Sequence, residues 1–232
     1  MTTSIFIRSY PGDFPWLSYC LRSIHKFATG FQEVVVCIPE GTDLNLTAER
    51  VVKVKETCEG YVHQQISKLN ADLYTAADNV VYLDSDCVLT KPLTPEDLMT
   101  DGKPDWLITP MDKVGEDARK AWFDVMKDCI GHPPEFEMMR RHPQMIPAWA
   151  LVSFKEFIRG KHGKSMEAYA AGRPHRNFSE FNVMGFYLHA HHHDKINWLN
   201  TDDGVPEPLL IQAWSHGGIT PEIKQQFEDI LS

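Results

Sequence analysis

An α/β fold, with helices on both faces of a mostly parallel, mixed central sheet, is predicted for this 232-residue chain by three observations. Short apolar runs alternate with stretches of helical period: Ile5–Tyr10, Glu33–Pro39 and Asn79–Leu83 against Phe14–Ala28 and Val62–Ala77. The runs are near-continuous, as in Val34-Val35-Val36, which suits strands buried on both faces. The stretch Asn79–Leu89, NVVYLDSDCVL, breaks off at Asp84-Ser85-Asp86, placing two carboxylates at the carboxyl end of a buried strand. Open α/β sheets keep their sites at that end.

Taken in order, Ile5–Tyr10 is the first strand, followed by the turn Pro11-Gly12-Asp13 and an amphipathic helix whose Leu17, Cys20, Leu21, Ile24, Phe27 and Ala28 share one face. Glu33–Pro39 and Arg50–Lys55 are further strands. Val62, Ile66, Leu69, Leu73 and Ala76 predict a helix over Val62–Ala77 that feeds the acid-bearing strand, with Gln65, Lys68 and Asp72 on another stripe. Thr94-Pro95-Glu96-Asp97 reads as a helix start, Asp105–Thr109 as a strand and Glu116–Ile130 as a helix. Gly131–Pro147 shows no periodicity and is expected to be an irregular segment on the acceptor side. Trp149–Phe154 reads as a strand, Lys155–Arg159 and Ser165–Ala171 as short helices, and Ser179-Glu180 as the opening of a helix carrying Phe181, Met184, Phe186 and Leu188. Lys195–Asn200 and Leu209–Trp214 are strands, and Thr220-Pro221-Glu222 starts a last helix that docks Ile223, Phe227, Ile230 and Leu231.

Length and a hydrophobic share of 43% suit one domain over residues 1–232. A net charge of -9 argues against a general binder of the nucleic-acid backbone. Five cysteines in no metal-site spacing read as reduced thiols and a cytoplasmic protein. The amino terminus lacks a signal-peptide pattern and no apolar run reaches membrane-spanning length, so a soluble protein is expected.

Asp84 and Asp86, with a bend at Ser85, suit a hard cation such as Mg²⁺ or Mn²⁺ better than zinc. Lys68 precedes them on a helix where a cation can meet a diphosphate. His189, His191, His192 and His193 cannot all face one ion and read as a solvated helix end. The basic turn Gly160–Lys164 lacks the register of a phosphate-binding loop.

With Asp-x-Asp after the fourth strand and Lys68 on the helix before it, the chain resembles the nucleotide-sugar glycosyltransferases of the Rossmann-like GT-A fold over most of its length. The resemblance implies a nucleoside-diphosphate sugar, a UDP-sugar, lying across the early strands, its diphosphate bridged by Mn²⁺ or Mg²⁺. It makes residues 1–100 the donor half and 101–232 the acceptor half. Asp84 and Asp86 match the metal pair, and Ser85 the position near the ribose or sugar. Arg8, Ser9 and Tyr10 match the nucleotide-contacting end of the first strand, and Gln65 and Lys68 match donor-contacting helix residues. Trp214-Ser215-His216-Gly217-Gly218 resembles the late segment whose His completes the metal shell and whose glycines, here Gly217 and Gly218, let the backbone approach phosphates. Glu180 matches the acidic catalytic residue, as a base for the acceptor hydroxyl in an inverting reaction or a support for the donor in a retaining one. The acceptor is left open among a glycan, a small molecule, a protein and a modified nucleic-acid base.

Two other classes compete. VVYLDSDCVLT also resembles the first motif of haloacid-dehalogenase phosphatases, with Asp202-Asp203 as late metal acids, but that motif opens its fold whereas three strands precede it here. A catalytically inactive sugar-nucleotide binder would use aromatics such as Trp149, Trp198 and Trp214, and has no need of a complete metal shell.

Overall fold

The computed structural model describes residues 1–48, 50–139, 143–174 and 177–232, with the backbone alone at His216. The chain runs β1 (Thr3–Arg8), α1 (Phe14–Phe27), β2 (Val34–Pro39), β3 (Arg50–Val54), α2 (Gly60–Leu69), β4 (Asn79–Asp84), β5 (Cys87–Leu89), β6 (Met99–Thr100), β7 (Lys103–Pro110) and α3 (Glu116–Ile130). It continues through β8 (Phe136–Glu137), β9 (Gln144–Pro147), α4 (Ala148–His162), α5 (Met166–Ala171), α6 (Glu180–His191), β10 (Asn197–Asn200), β11 (Leu210–Gln212) and α7 (Pro221–Leu231).

The central sheet has the order β3-β2-β1-β4-β9; the first four strands are parallel and β9 is antiparallel to β4. The chain winds outward from β1 to β3 and then returns to β1's other side as β4. The strand order therefore reverses between β1 and β4, the place where a crevice opens at the carboxyl ends of an α/β sheet. In register, Arg8 lies beside Cys37 on one side and Asp84 on the other.

Alternation along the strands divides the core in two. Phe6 and Tyr82 pack with Trp106, Phe154 and Phe186 on the face covered by α2, α3, α4 and α6. Ile5, Ile7, Val81 and Leu83 meet Leu17 and Ile24 of α1 on the other. The result is the mixed three-layer α/β architecture that the alternation of runs predicts. Helix α6 is unusual in that every residue from Glu180 to Leu188 is buried, so it runs through the interior rather than over it.

Four expectations are corrected. Trp149–Phe154 is part of helix α4, which buries Ala150, Leu151, Phe154 and Ile158 at helical spacing and leaves Trp149 and Val152 outside. A short apolar run fits either period, and length decided for the helix. The strand instead lies just before it: β9, in the aperiodic Gly131–Pro147 stretch, pairs Ile146 with Val80. Helix α2 stops at Leu69 rather than Ala77. Leu73 falls in a 3-10 turn and is 65% exposed, while Asp72 turns away to Lys155 at 2.6 Å, so it shares no stripe with Lys68. Thr94 does form a capping box, but one 3-10 turn (Pro95–Leu98) is all it starts, because Met99 enters β6.

Candidate functional site

At the carboxyl ends of β1 and β4, Ser85 and Asp86 form the turn between β4 and β5. The two acids leave it toward different partners. Asp84 Oδ1 lies 2.7 Å from Lys68 Nζ. Asp86 Oδ2 accepts the Ser215 backbone N–H at 2.9 Å, its Oδ1 accepts from the Gln212 amide at 3.4 Å, and its carbonyl accepts the Ala213 N–H at 3.1 Å. Pairing of β11 with β5, Gln212 opposite Cys87, is what brings this late segment to the acids.

The same segment bends sharply. Trp214 is held at φ 56 and is 62% exposed, and Gly218 sits at φ 72. A side chain other than glycine is strained in that region, by about 1–3 kcal/mol. His216 lies in the 3-10 turn Ser215–Gly217, but its side chain is outside the described residues. A Cβ placed on Gly217 would meet nothing within 4 Å, so the site has open space there.

On the other face, Lys68 joins the acid pair to α6. Its ammonium contacts Glu180 Oε1 at 2.7 Å as well as Asp84, and lies 5.0 Å from the centre of the Phe181 ring. Ser179 caps α6 through the Asn182 N–H at 3.3 Å, and Gln65 Oε1 accepts the N–H of Glu180 itself at 3.1 Å. Gln65 and Lys68 thus hold backbone and carboxylate of one residue from a single face of α2. Burial by itself pushes the Lys68 ammonium down, but the Asp84 and Glu180 carboxylates outweigh it and hold its pKa above the ordinary lysine value.

Arg8 is likewise committed. Its guanidinium pairs with Glu56 at 2.7 Å, donates to the Cys37 carbonyl at 3.3 Å and contacts the Ser9 carbonyl. Arg8 Nε and Ser9 Oγ are buried with no hydrogen-bond partner among the described residues. Tyr10 is half exposed, and its ring lies over Gly12, where a Cβ would approach it to 2.6 Å.

Asp13 belongs to this constellation and sequence reasoning missed it. It occupies the N-cap position of α1 without capping that helix through its side chain; Asp13 Oδ2 instead accepts from Ser85 Oγ at 3.3 Å, with the side chains of Tyr10 and Ser215 near enough to act on its charge. Burial first, then the charge of Asp86, pushes the Asp13 carboxyl up against the pull of those hydroxyls. The charge of Asp13 is in turn the main cause of an upward shift at Tyr10. The only sequence signal was its place in the turn between the first strand and the first helix.

Among the described residues, Asp13, Asp84 and Asp86 at the strand ends and Glu180 at the start of α6 bring four carboxylates together, against Lys68 with Arg8 already paired. Among the described residues no three His, Cys, Asp or Glu side chains form a complete metal shell. Two carboxylates and an excess of negative charge nevertheless fit a hard divalent ion that takes its remaining ligands from phosphate and water oxygens.

Other features lie elsewhere. A cavity of about 670 Å³ lined by Asn79, Trp149 and Val152 sits at the amino end of β4, about 17 Å along the strand from Asp84 at the ordinary strand rise. Trp198 packs on Trp106. The histidines are a more ordered group than a solvated helix end: His189 stacks edge-on against Trp198 at 5.0 Å and His192 against Trp149 at 5.0 Å. Among the described residues no helix is long and apolar enough to cross a membrane, and all five cysteines are free.

The strand order and the position of the crevice define the class at the level of fold. The chain is similar to the galactosyltransferase LgtC, whose crystal structure was solved in complex with donor and acceptor sugar analogues: TM-score 0.57, covering 98% of this chain and 95% of that one, at 11% identity. It has the mixed α/β fold of the GT-A glycosyltransferases. No protein of curated function matches it in sequence. The chain belongs to a family of unknown function, DUF6492, whose model matches residues 19–214.

Proposed function

We propose that this protein is a metal-dependent glycosyltransferase, a single domain that moves a sugar from a nucleoside-diphosphate sugar, a UDP-sugar, to a hydroxyl of an acceptor. The observation that carries this reading is the buried link Asp84–Lys68–Glu180 at the point where the strand order reverses, with 2.7 Å on each side of the ammonium. It ties an acid of the Asp-x-Asp turn to the carboxylate opening α6, the arrangement a transferase needs if donor and acceptor are to meet over one strand end.

Asp84 and Asp86 would hold Mn²⁺ or Mg²⁺, with the His216 imidazole as a further ligand; the bound ion supplies Lewis-acid stabilisation of the leaving diphosphate. Arg8, Ser9 and Tyr10 face the nucleoside, and the orphaned Ser9 Oγ and Arg8 Nε offer it hydrogen bonds. The Gly217-Gly218 backbone has room beside it for phosphate oxygens. Lys68 acts as the positioning cation: it fixes Glu180 and offsets the charge that gathers around Asp84. Glu180 is the acid–base residue, oriented through Gln65 and Lys68, and takes the proton of the acceptor hydroxyl or supports the reacting face of the donor sugar. The five free thiols suit a reducing cytoplasm.

The test is a thermal-shift screen of nucleoside diphosphates with Mn²⁺, followed by turnover of the matching sugar nucleotides. Metal-dependent stabilisation by a uridine nucleotide, lost in Asp86→Ala, is expected. Wild type and Asp86→Ala responding identically to every nucleotide would sink the reading. Magnesium-dependent release of phosphate from a generic ester would favour the phosphatase, and donor binding without any turnover, even hydrolysis, would favour an inactive binder.

A further inference from the structure

We infer that Asp13 is the residue that reads the ribose hydroxyls of the donor nucleoside, making the site selective for ribo- over deoxyribonucleoside diphosphates; this rests on the transferase reading above.

An aspartate at a helix N-cap ordinarily accepts backbone N–H groups of the first turn. Asp13 holds that position in α1 and makes no such bond. Its carboxylate is turned instead toward the strand ends, where it accepts from the Ser85 hydroxyl at 3.3 Å and the Tyr10 and Ser215 side chains are near enough to act on its charge. Among the described residues no cation acts on it, and its charged neighbour is Asp86. Like charge makes it a poor host for a diphosphate and a good one for a diol, which donates two hydrogen bonds without adding negative charge.

The surroundings fit the rest of a nucleoside. Tyr10, half exposed, accepts the Asp13 backbone N–H at 2.8 Å, and Trp214, 62% exposed and presented by a strained backbone, precedes the Ser215 that meets Asp86. Both offer aromatic surface for a planar base. Ser9 Oγ, buried and unpartnered beside Tyr10, is an independent sign that a polar ligand completes this end of β1. Ser85 links the two halves, since its hydroxyl reaches Asp13 while its neighbours Asp84 and Asp86 are the acids assigned above to the metal.

Calorimetric titration with uridine diphosphate, 2′-deoxyuridine diphosphate and the 3′-deoxy form, each with Mn²⁺, tests this. Wild type is expected to prefer the ribonucleotide by about tenfold or more over at least one deoxy form. Asp13→Ala and the isosteric Asp13→Asn should bring that ratio close to one by weakening the ribonucleotide more than the deoxy forms, with Tm unchanged. A wild type that does not discriminate, or a ratio preserved in both variants, would overturn the role of Asp13 while leaving the transferase reading intact. Failure of wild type to bind any nucleoside diphosphate with Mn²⁺ would remove that reading and this inference together.

Discussion

Lys68 Nζ lies 2.7 Å from Glu180 Oε1, a buried ion pair between residues 112 positions apart in the chain. Because Asp84 shares the same ammonium at 2.7 Å, the pair is also the mechanical link between the two edges of the crevice.

Removing Lys68 should therefore be costly to the fold. Lys68→Met leaves two facing carboxylates uncompensated, and a loss of about 3–5 kcal/mol in denaturant unfolding is expected. Glu180→Gln added to it should restore part of that loss, giving a coupling well above the error of a double-mutant cycle. Strict additivity would mean that the two side chains do not interact in solution.

Asp86 sits differently, its carboxylate accepting the Ser215 backbone N–H and its carbonyl the Ala213 N–H at a turn. Asp86→Asn should fold normally, lose the Mn²⁺-dependent part of nucleotide stabilisation, and lower transferase turnover by about 100-fold or more. Equal activity of the variant, measured by release of nucleoside diphosphate, would contradict its place in the site.

Gly12 is small for a reason other than backbone freedom, since a Cβ there would come to 2.6 Å of the Tyr10 ring. Gly12→Ala should push that ring aside and weaken nucleotide binding several-fold while the unfolding midpoint stays put.

Gly185 makes the corresponding point about the core. A Cβ would meet Met138 at 2.8 Å and Trp106 at 2.9 Å, so α6 approaches its neighbours only because this position is bare. Gly185→Ala should destabilise by about 1–3 kcal/mol through overpacking, despite alanine's better helix propensity.

The histidine group sets an acid limit. Burial first, then neighbouring charge from His193, holds the His189 imidazole below its ordinary value, and burial with His192 does the same to His191. As pH falls through about 6.5 the unfolded chain takes up protons that the folded one resists, so stability declines on that side. Urea midpoints from pH 8 to 5 should show the decline, and His189→Phe should flatten it.

Much of this protein is local information. Continuous apolar runs announced β1, β2 and β4, and helical spacing gave α1 and the exact bounds of α3, because burial on a fixed period leaves its mark in any one segment. The Asp-x-Asp at a strand end and Ser179-Glu180 at a helix start were equally readable, being turn and cap chemistry. Trp149–Phe154 was not, since so short a mostly apolar run satisfies both periods until its neighbours are known. Nor was β9, which is extended because it pairs with the edge of β4.

The sequence by itself determined the layered α/β class and the chemical kinds of residue at the strand ends. Only the tertiary structure decided how they are paired: that Lys68 is spent on Glu180 and Asp84 rather than left as a solvated cation, that Ser215 reaches Asp86 across 129 positions, and that Asp13 abandons its helix to face Ser85. Such pairings depend on which strand ends lie side by side. That is set by the outward winding of β1 to β3 and the return to β4, a long-range choice that no single segment records.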